Sequence, residues 1–157
     1  MSAIRILIVE DTREWRNLFC DLLRQDRSFD VVGEASDGLA AITMAELTKP
    51  TVVVLDINMP RLDGIEAARR IRTLRPETKI VFVSGESDQD LIDHALSVGA
   101  SGYVNKPRVW RDLVVAIQSV LRGEPFVSPR LDAAELGKRQ SCRASDQDVS
   151  TSVSQLE

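Results

Sequence analysis

Five short runs of mostly β-branched and aliphatic residues, at 4–9, 30–34, 51–56, 79–84 and 102–105, recur along the chain at nearly regular intervals. Each has the length of a buried strand, and the residues between them follow a helical period. Trp15, Leu18, Phe19, Leu22 and Leu23 fall at i, i+3, i+4, i+7 and i+8, which puts them on one helical face. Similar stripes run through Leu39, Ile42 and Leu47, through Ile65, Ala68 and Ile71, through Leu91, Ile92, Ala95 and Leu96, and through Val109, Leu113, Ile117, Val120 and Leu121. The stretches ILIVE and VVVLD are apolar at successive positions, as strands must be when helices cover both faces of a parallel sheet. The pattern predicts a doubly wound α/β domain with a five-stranded parallel sheet and five helices.

With 157 residues the chain holds one such domain and a remainder. The domain is expected to span 1–129. From Leu131 onward the sequence is rich in Ser, Asp and Gln and has no aromatic residue or sustained apolar period, so 130–157 reads as a flexible, disordered tail. A balance of 20 basic against 24 acidic residues disfavours nucleic acid as a direct partner. Cys20 and Cys142 lie far apart, the N-terminus lacks a signal-peptide pattern, and no apolar run approaches the roughly 18–20 residues of a membrane span. The expected location is the cytoplasm, with no membrane contact.

In an open parallel sheet, ligands bind beyond the carboxyl ends of the strands. Here the first strand ends in Glu10 and Asp11, the third in Asp56, the fourth in Ser84, and the fifth runs into Lys106 and Pro107. Two carboxylates about 4 Å apart repel by about 4 kcal/mol at an effective dielectric of ~20, so three cannot all stay charged unaided. Either one carboxyl takes up a proton or a divalent cation sits among them. Oxygen ligands without His or Cys suit a hard ion, and Mg²⁺ fits a small, partly hydrated site. The only histidine, His94, falls on a helix and reads as an ordinary helix residue.

Glu10-Asp11, VVVLDINMPRLDGIEAARRIR around Asp56, VFVSG with Ser84, and GASGYVNKP with Lys106-Pro107 together resemble the receiver domains of bacterial two-component response regulators. The resemblance covers roughly residues 3–128. It lies nearest the branch whose receivers precede a LuxR-type helix-turn-helix, which this sequence lacks. It implies a flavodoxin-like strand order 2-1-3-4-5 and a switch in which Asp56 accepts a phosphoryl group from a sensor histidine kinase or a phosphotransfer protein. Glu10, Asp11, Asp56 and the backbone carbonyl of Asn58 would hold Mg²⁺, with Lys106 pairing with phosphoryl oxygens and Ser84 hydrogen-bonding one of them. Ser84 and Tyr103 would form the switch pair, Tyr103 turning into space that Ser84 vacates. The Lys106–Pro107 bond would be cis, and Asn58 and Glu86 would set the phosphoryl lifetime. Trp15 and Trp110 read as packing residues, with the first and fifth helices offering a homodimer surface.

Other function classes fit less well. Aspartyl-phosphate phosphatases on a similar sheet carry a second acid two residues beyond the nucleophile, where this chain has Asn58. A flavin or nucleotide binder needs a phosphate loop after the first strand, and none is present. The expected activity is limited to self-phosphorylation from donors and slow autodephosphorylation, with a downstream protein as partner. The alternative is a DNA-binding transcriptional regulator, or a product of one, whose output domain lies outside this sequence.

Overall fold

The computed structural model describes residues 3–129. Strands β1 (Ile4–Val9), β2 (Phe29–Ala35), β3 (Val52–Asp56), β4 (Lys79–Ser84), β5 (Gly102–Asn105) and β6 (Phe126–Val127) form one parallel sheet in the order 2-1-3-4-5-6. Helices α1 (Arg13–Arg24), α2 (Gly38–Thr48), α3 (Gly64–Leu74), α4 (Gln89–Ser97) and α5 (Val109–Leu121) make the connections. The doubly wound, flavodoxin-like architecture is as expected, with a sixth strand in place of the expected five. β6 has only two residues, too few to show a period in sequence, and pairs Phe126 with Gly102 and Val127 with Tyr103. The expected tail, 130–157, lies outside the described residues.

Alternation along each strand assigns the two faces. Leu7, Val9, Val53, Leu55 and Phe82 face the layer made by α2, α3 and α4, whereas Ile6, Ile8, Val52, Val54, Val81 and Val83 face α1 and α5. Both layers are fully buried along the central strands, which explains why these strands are apolar at every position. One stripe differs from expectation. On α2 the inner face is Gly38, Ala41 and Ala45, while Leu39 and Leu47 are exposed. Both sets satisfy a helical spacing, and the small set wins because α2 comes so close to its neighbours that a Cβ on Gly38 would lie 2.1 Å from the Leu62 carbonyl oxygen.

The registers bring the reactive ends level. Val9 stands beside Leu55, Asp56 beside Val83, and Ser84 beside Asn105. Strand order reverses between β1 and β3, so the crevice at their carboxyl ends lies between Glu10 and Asp56. The loop after Asp56 returns tightly, its Gly64 N–H donating to the Ile57 carbonyl at 2.7 Å. A Cβ at Gly64 would sit 1.9 Å from the Asp56 carbonyl oxygen, closer than any side chain permits.

Gly64→Ala must therefore push α3 away from the end of β3. The expected cost is about 1–3 kcal/mol, in the range of other overpacked sites. It should appear as a lower urea midpoint at unchanged slope, and an unchanged midpoint would show that the loop has slack.

Candidate functional site

β1 delivers Glu10 directly beneath the start of α1, and its carboxylate is wholly buried. One oxygen, Oε2, accepts the Thr12 N–H at 3.0 Å, while Arg16 Nη1 donates to the Glu10 carbonyl at 2.7 Å. The other oxygen, Oε1, faces the Lys106 ammonium 3.0 Å away. Asp56, at the end of β3, is 4% exposed, and its Oδ2 lies 3.5 Å from the same Lys106 Nζ. Asp11 is exposed at the mouth. One oxygen from each of Glu10, Asp11 and Asp56 can be chosen so that all lie within 4.8 Å of one another.

Electrostatics follows from this placement. Burial pushes the Glu10 carboxyl above its ordinary value, and the neighbouring charge of Asp56 pushes the same way. Burial likewise raises Asp56, against the opposing pull of Lys106 and of the Ile57 backbone N–H. One ammonium therefore does not neutralise the cluster. The donors are all oxygen, and one ammonium among three carboxylates leaves excess negative charge, so the residues fit a hard divalent cation.

Lys106 comes from the turn after β5. The expected cis bond is absent: every peptide described is trans. Lys106–Arg108 instead forms a 3-10 turn with Pro107 in its first positions, where a fixed φ is suitable and the missing N–H leaves no bond unmade. Lys106 still reaches Glu10 and Asp56, so its aim does not require a cis bond. Its ammonium also lies 5.1 Å from the Trp15 ring centroid, a cation–π contact that sequence reading missed by treating Trp15 as packing alone. The available signal was position, because Trp15 lies on the first turn of the helix that follows Glu10 and Asp11. Trp110, also read as a packing residue, is 68% exposed.

Ser84 is fully buried, and its Oγ accepts the Glu86 N–H at 3.1 Å. Tyr103 is buried as well, its phenol donating to the Glu86 carbonyl at 2.9 Å. Burial raises the phenol to about 12, with the nearby Ser84 hydroxyl opposing. Both switch residues thus hold the backbone of one residue, Ser84 through the Glu86 N–H and Tyr103 through the Glu86 carbonyl. In this structure the Tyr103 ring is inside while Ser84 is bound to the loop. Asn58 and the Glu86 side chain are exposed beside the crevice, and His94 is exposed on α4.

A family model described as the response regulator receiver domain matches residues 6–118. The chain belongs to that family. This receiver domain is the phosphorylation-responsive switch module of two-component response regulators. Among its relatives, the transcriptional regulatory protein PdtaR of Mycobacterium tuberculosis is 38% identical over 140 residues, covering 88% of this chain and 67% of the relative. The transcriptional regulatory protein DegU of Brevibacillus brevis is 32% identical over 130 residues, 83% of this chain but 55% of DegU. A solved two-component response regulator of the LuxR family from Aurantimonas sp. SI85-9A1 is 32% identical with a TM-score of 0.79, covering 89% of this chain and 99% of that one. Among the described residues no helix is long and apolar enough to cross a membrane.

Because folding raises the pKa of Glu10 and Asp56, the unfolded state holds fewer protons between the ordinary and the raised values. The contribution of these two carboxyls to stability should be fully present below the ordinary carboxylate range and be lost as pH rises through the raised values. In EDTA at neutral pH, Asp56→Asn should melt higher than wild type, and the gain should vanish at acid pH. Mg²⁺ at a hundred times its dissociation constant should stabilise wild type by about 2.7 kcal/mol and the variant by less. Equal melting of the two proteins in EDTA at neutral pH would contradict the assigned charge imbalance.

Proposed function

We propose that Asp56 is the phosphoryl acceptor of this receiver domain, taking the group from a phosphohistidine of a sensor kinase or phosphotransfer protein. The observation that carries the proposal is the convergence of Glu10, Asp11 and Asp56 oxygens within 4.8 Å around a carboxylate that Lys106 Nζ approaches to 3.5 Å. An Asp56 oxygen attacks phosphorus as the phosphorus–nitrogen bond breaks, giving an acyl phosphate on the protein and returning the electron pair to the imidazole.

Glu10, Asp11, Asp56 and the Asn58 backbone carbonyl would hold Mg²⁺, which when bound offsets the negative charge of donor and carboxylates. Lys106 turns toward the transferred oxygens, giving up part of its pairing with Glu10 and Asp56. Ser84, now set against Tyr103, redirects its hydroxyl proton to a phosphoryl oxygen in a charge-assisted hydrogen bond. As Ser84 Oγ moves to the phosphoryl group, the Glu86 N–H loses its acceptor while Tyr103 keeps the Glu86 carbonyl, and the surface made by α4, β5 and α5 changes by a shift of equilibrium. That surface meets a downstream protein, while α1 and α5 offer a face to a second copy of the chain.

Attack of water on the acyl phosphate, past the exposed Asn58 and Glu86, returns the switch to rest in the cytoplasm. A second reading, part of a transcriptional regulator, is favoured by the names of DegU and PdtaR and by the share of DegU that lies beyond the match.

Wild type incubated with acetyl phosphate and Mg²⁺ should acquire acid-labile phosphate, and Asp56→Asn should acquire none. Labelling of that variant, or of wild type in excess EDTA, would overturn the assignment. Glu86→Leu should retain its phosphoryl group several-fold longer by narrowing the path of water, and an unchanged decay would remove Glu86 from that role.

A further inference from the structure

Lys106 is carried by four residues, Asn105 to Arg108, and both ends of this segment are fastened through one oxygen. The Asn105 N–H donates to Ser128 Oγ at 3.1 Å, and Ser128 Oγ in turn donates to Asp112 Oδ2 at 2.7 Å. Arg108 Nε donates to the same Asp112 Oδ2 at 3.0 Å. Asn105, Asp112 and Ser128 are all buried, at 3%, 6% and 2% exposure. Asp112 lies on the inner face of α5 among Val109, Leu113 and Ala116, where an apolar side chain would cost less to bury. A buried carboxylate there holds geometry rather than adding stability.

We propose that Asp112 and Ser128 are positioning residues for Lys106, and that through Ser128 the segment leaving the domain at 126–129 senses whether Lys106 is engaged at Asp56. This rests on the reading of Asp56 as phosphoryl acceptor. The exit segment is short: β6 is two half-buried residues at the sheet edge, paired with Gly102 and Tyr103 and flanked by the bonds of Phe126 N–H to the Ser101 carbonyl at 3.1 Å and Ser128 N–H to the Tyr103 carbonyl at 2.8 Å. Short edge elements of this kind open at low cost. Opening removes the hydroxyl from Asp112 and from the Asn105 N–H together, and so releases the Lys106 turn. Coupling of this kind is reciprocal, so drawing Lys106 onto a phosphoryl group changes the hold on Ser128 by the same factor. The chain beyond Pro129 thereby receives the state of Asp56 by a route separate from the α4 surface.

The test uses the full chain with acetyl phosphate and Mg²⁺. Ser128→Ala should label Asp56 about fivefold or more slowly at saturating donor and Mg²⁺, the effect of losing one ordinary hydrogen bond, with unchanged Mg²⁺ affinity. Ser128→Thr, which keeps the hydroxyl, should restore the rate. Exchange of the Asn105 and Ser128 amides in wild type should change together on phosphorylation. A wild-type labelling rate in Ser128→Ala, or a rate loss matched by lost Mg²⁺ affinity, would overturn the proposal. If Ser128→Ala fails to melt cooperatively, the wild-type amides decide, and their indifference to phosphorylation overturns it. Absence of label on wild-type Asp56 would instead bring down the underlying reading and this one with it.

Discussion

Lys106 Nζ lies 3.0 Å from Glu10 and 3.5 Å from Asp56, and it is the one ammonium shared by two buried carboxylates at the sheet's reversal point. At an effective dielectric of ~20 each contact is worth roughly 5 kcal/mol of attraction, against a repulsion between the carboxylates of similar order. The balance leaves both acids with raised pKa values, burial being the largest cause. Such a cluster favours whatever brings further positive charge, and it also holds Lys106 ready to move to a stronger anion. The proposed metal site, phosphoryl acceptor and switch would thus share one electrostatic origin.

The scaffold exists to hold that imbalance in place. Central strands buried on both faces fix the ends of β1 and β3 to within the play of a packed core. Gly64 lets α3 close over the Asp56 backbone, and the Thr12 N–H satisfies one oxygen of Glu10 while the other faces Lys106. The site is consequently rigid at its carboxylates and adjustable at its lysine, whose ammonium lies 5.1 Å from the Trp15 ring centroid.

Much of this was legible in the sequence because it is local. Strand ends carrying Glu10, Asp56, Ser84 and Lys106 could be read from apolar runs, and the parallel topology then gathers them on one rim. What escaped depends on contacts between distant positions or on choices between equivalent local patterns. The inner face of α2 was misread because Leu39 and Ala41 both fit a helical period, and only the approach of Leu62 to Gly38 selects the small side chains. The cis bond was inferred from resemblance, whereas the 3-10 turn after Asn105 aims Lys106 with a trans bond. Ser128 and Asp112 meet across 16 residues of chain, and the visible hint was an acid on the apolar stripe of α5. β6 was too short to announce itself.

Buried, mutually repelling carboxylates of this kind should expel protons when a cation binds among them. Calorimetric titration with Mg²⁺ at mildly acidic pH, repeated in buffers of different ionisation enthalpy, counts the protons expelled on binding. Release of protons by wild type, reduced in Glu10→Gln, is the predicted result. Heats that do not depend on the buffer, with Mg²⁺ binding unaffected by Glu10→Gln, would contradict it.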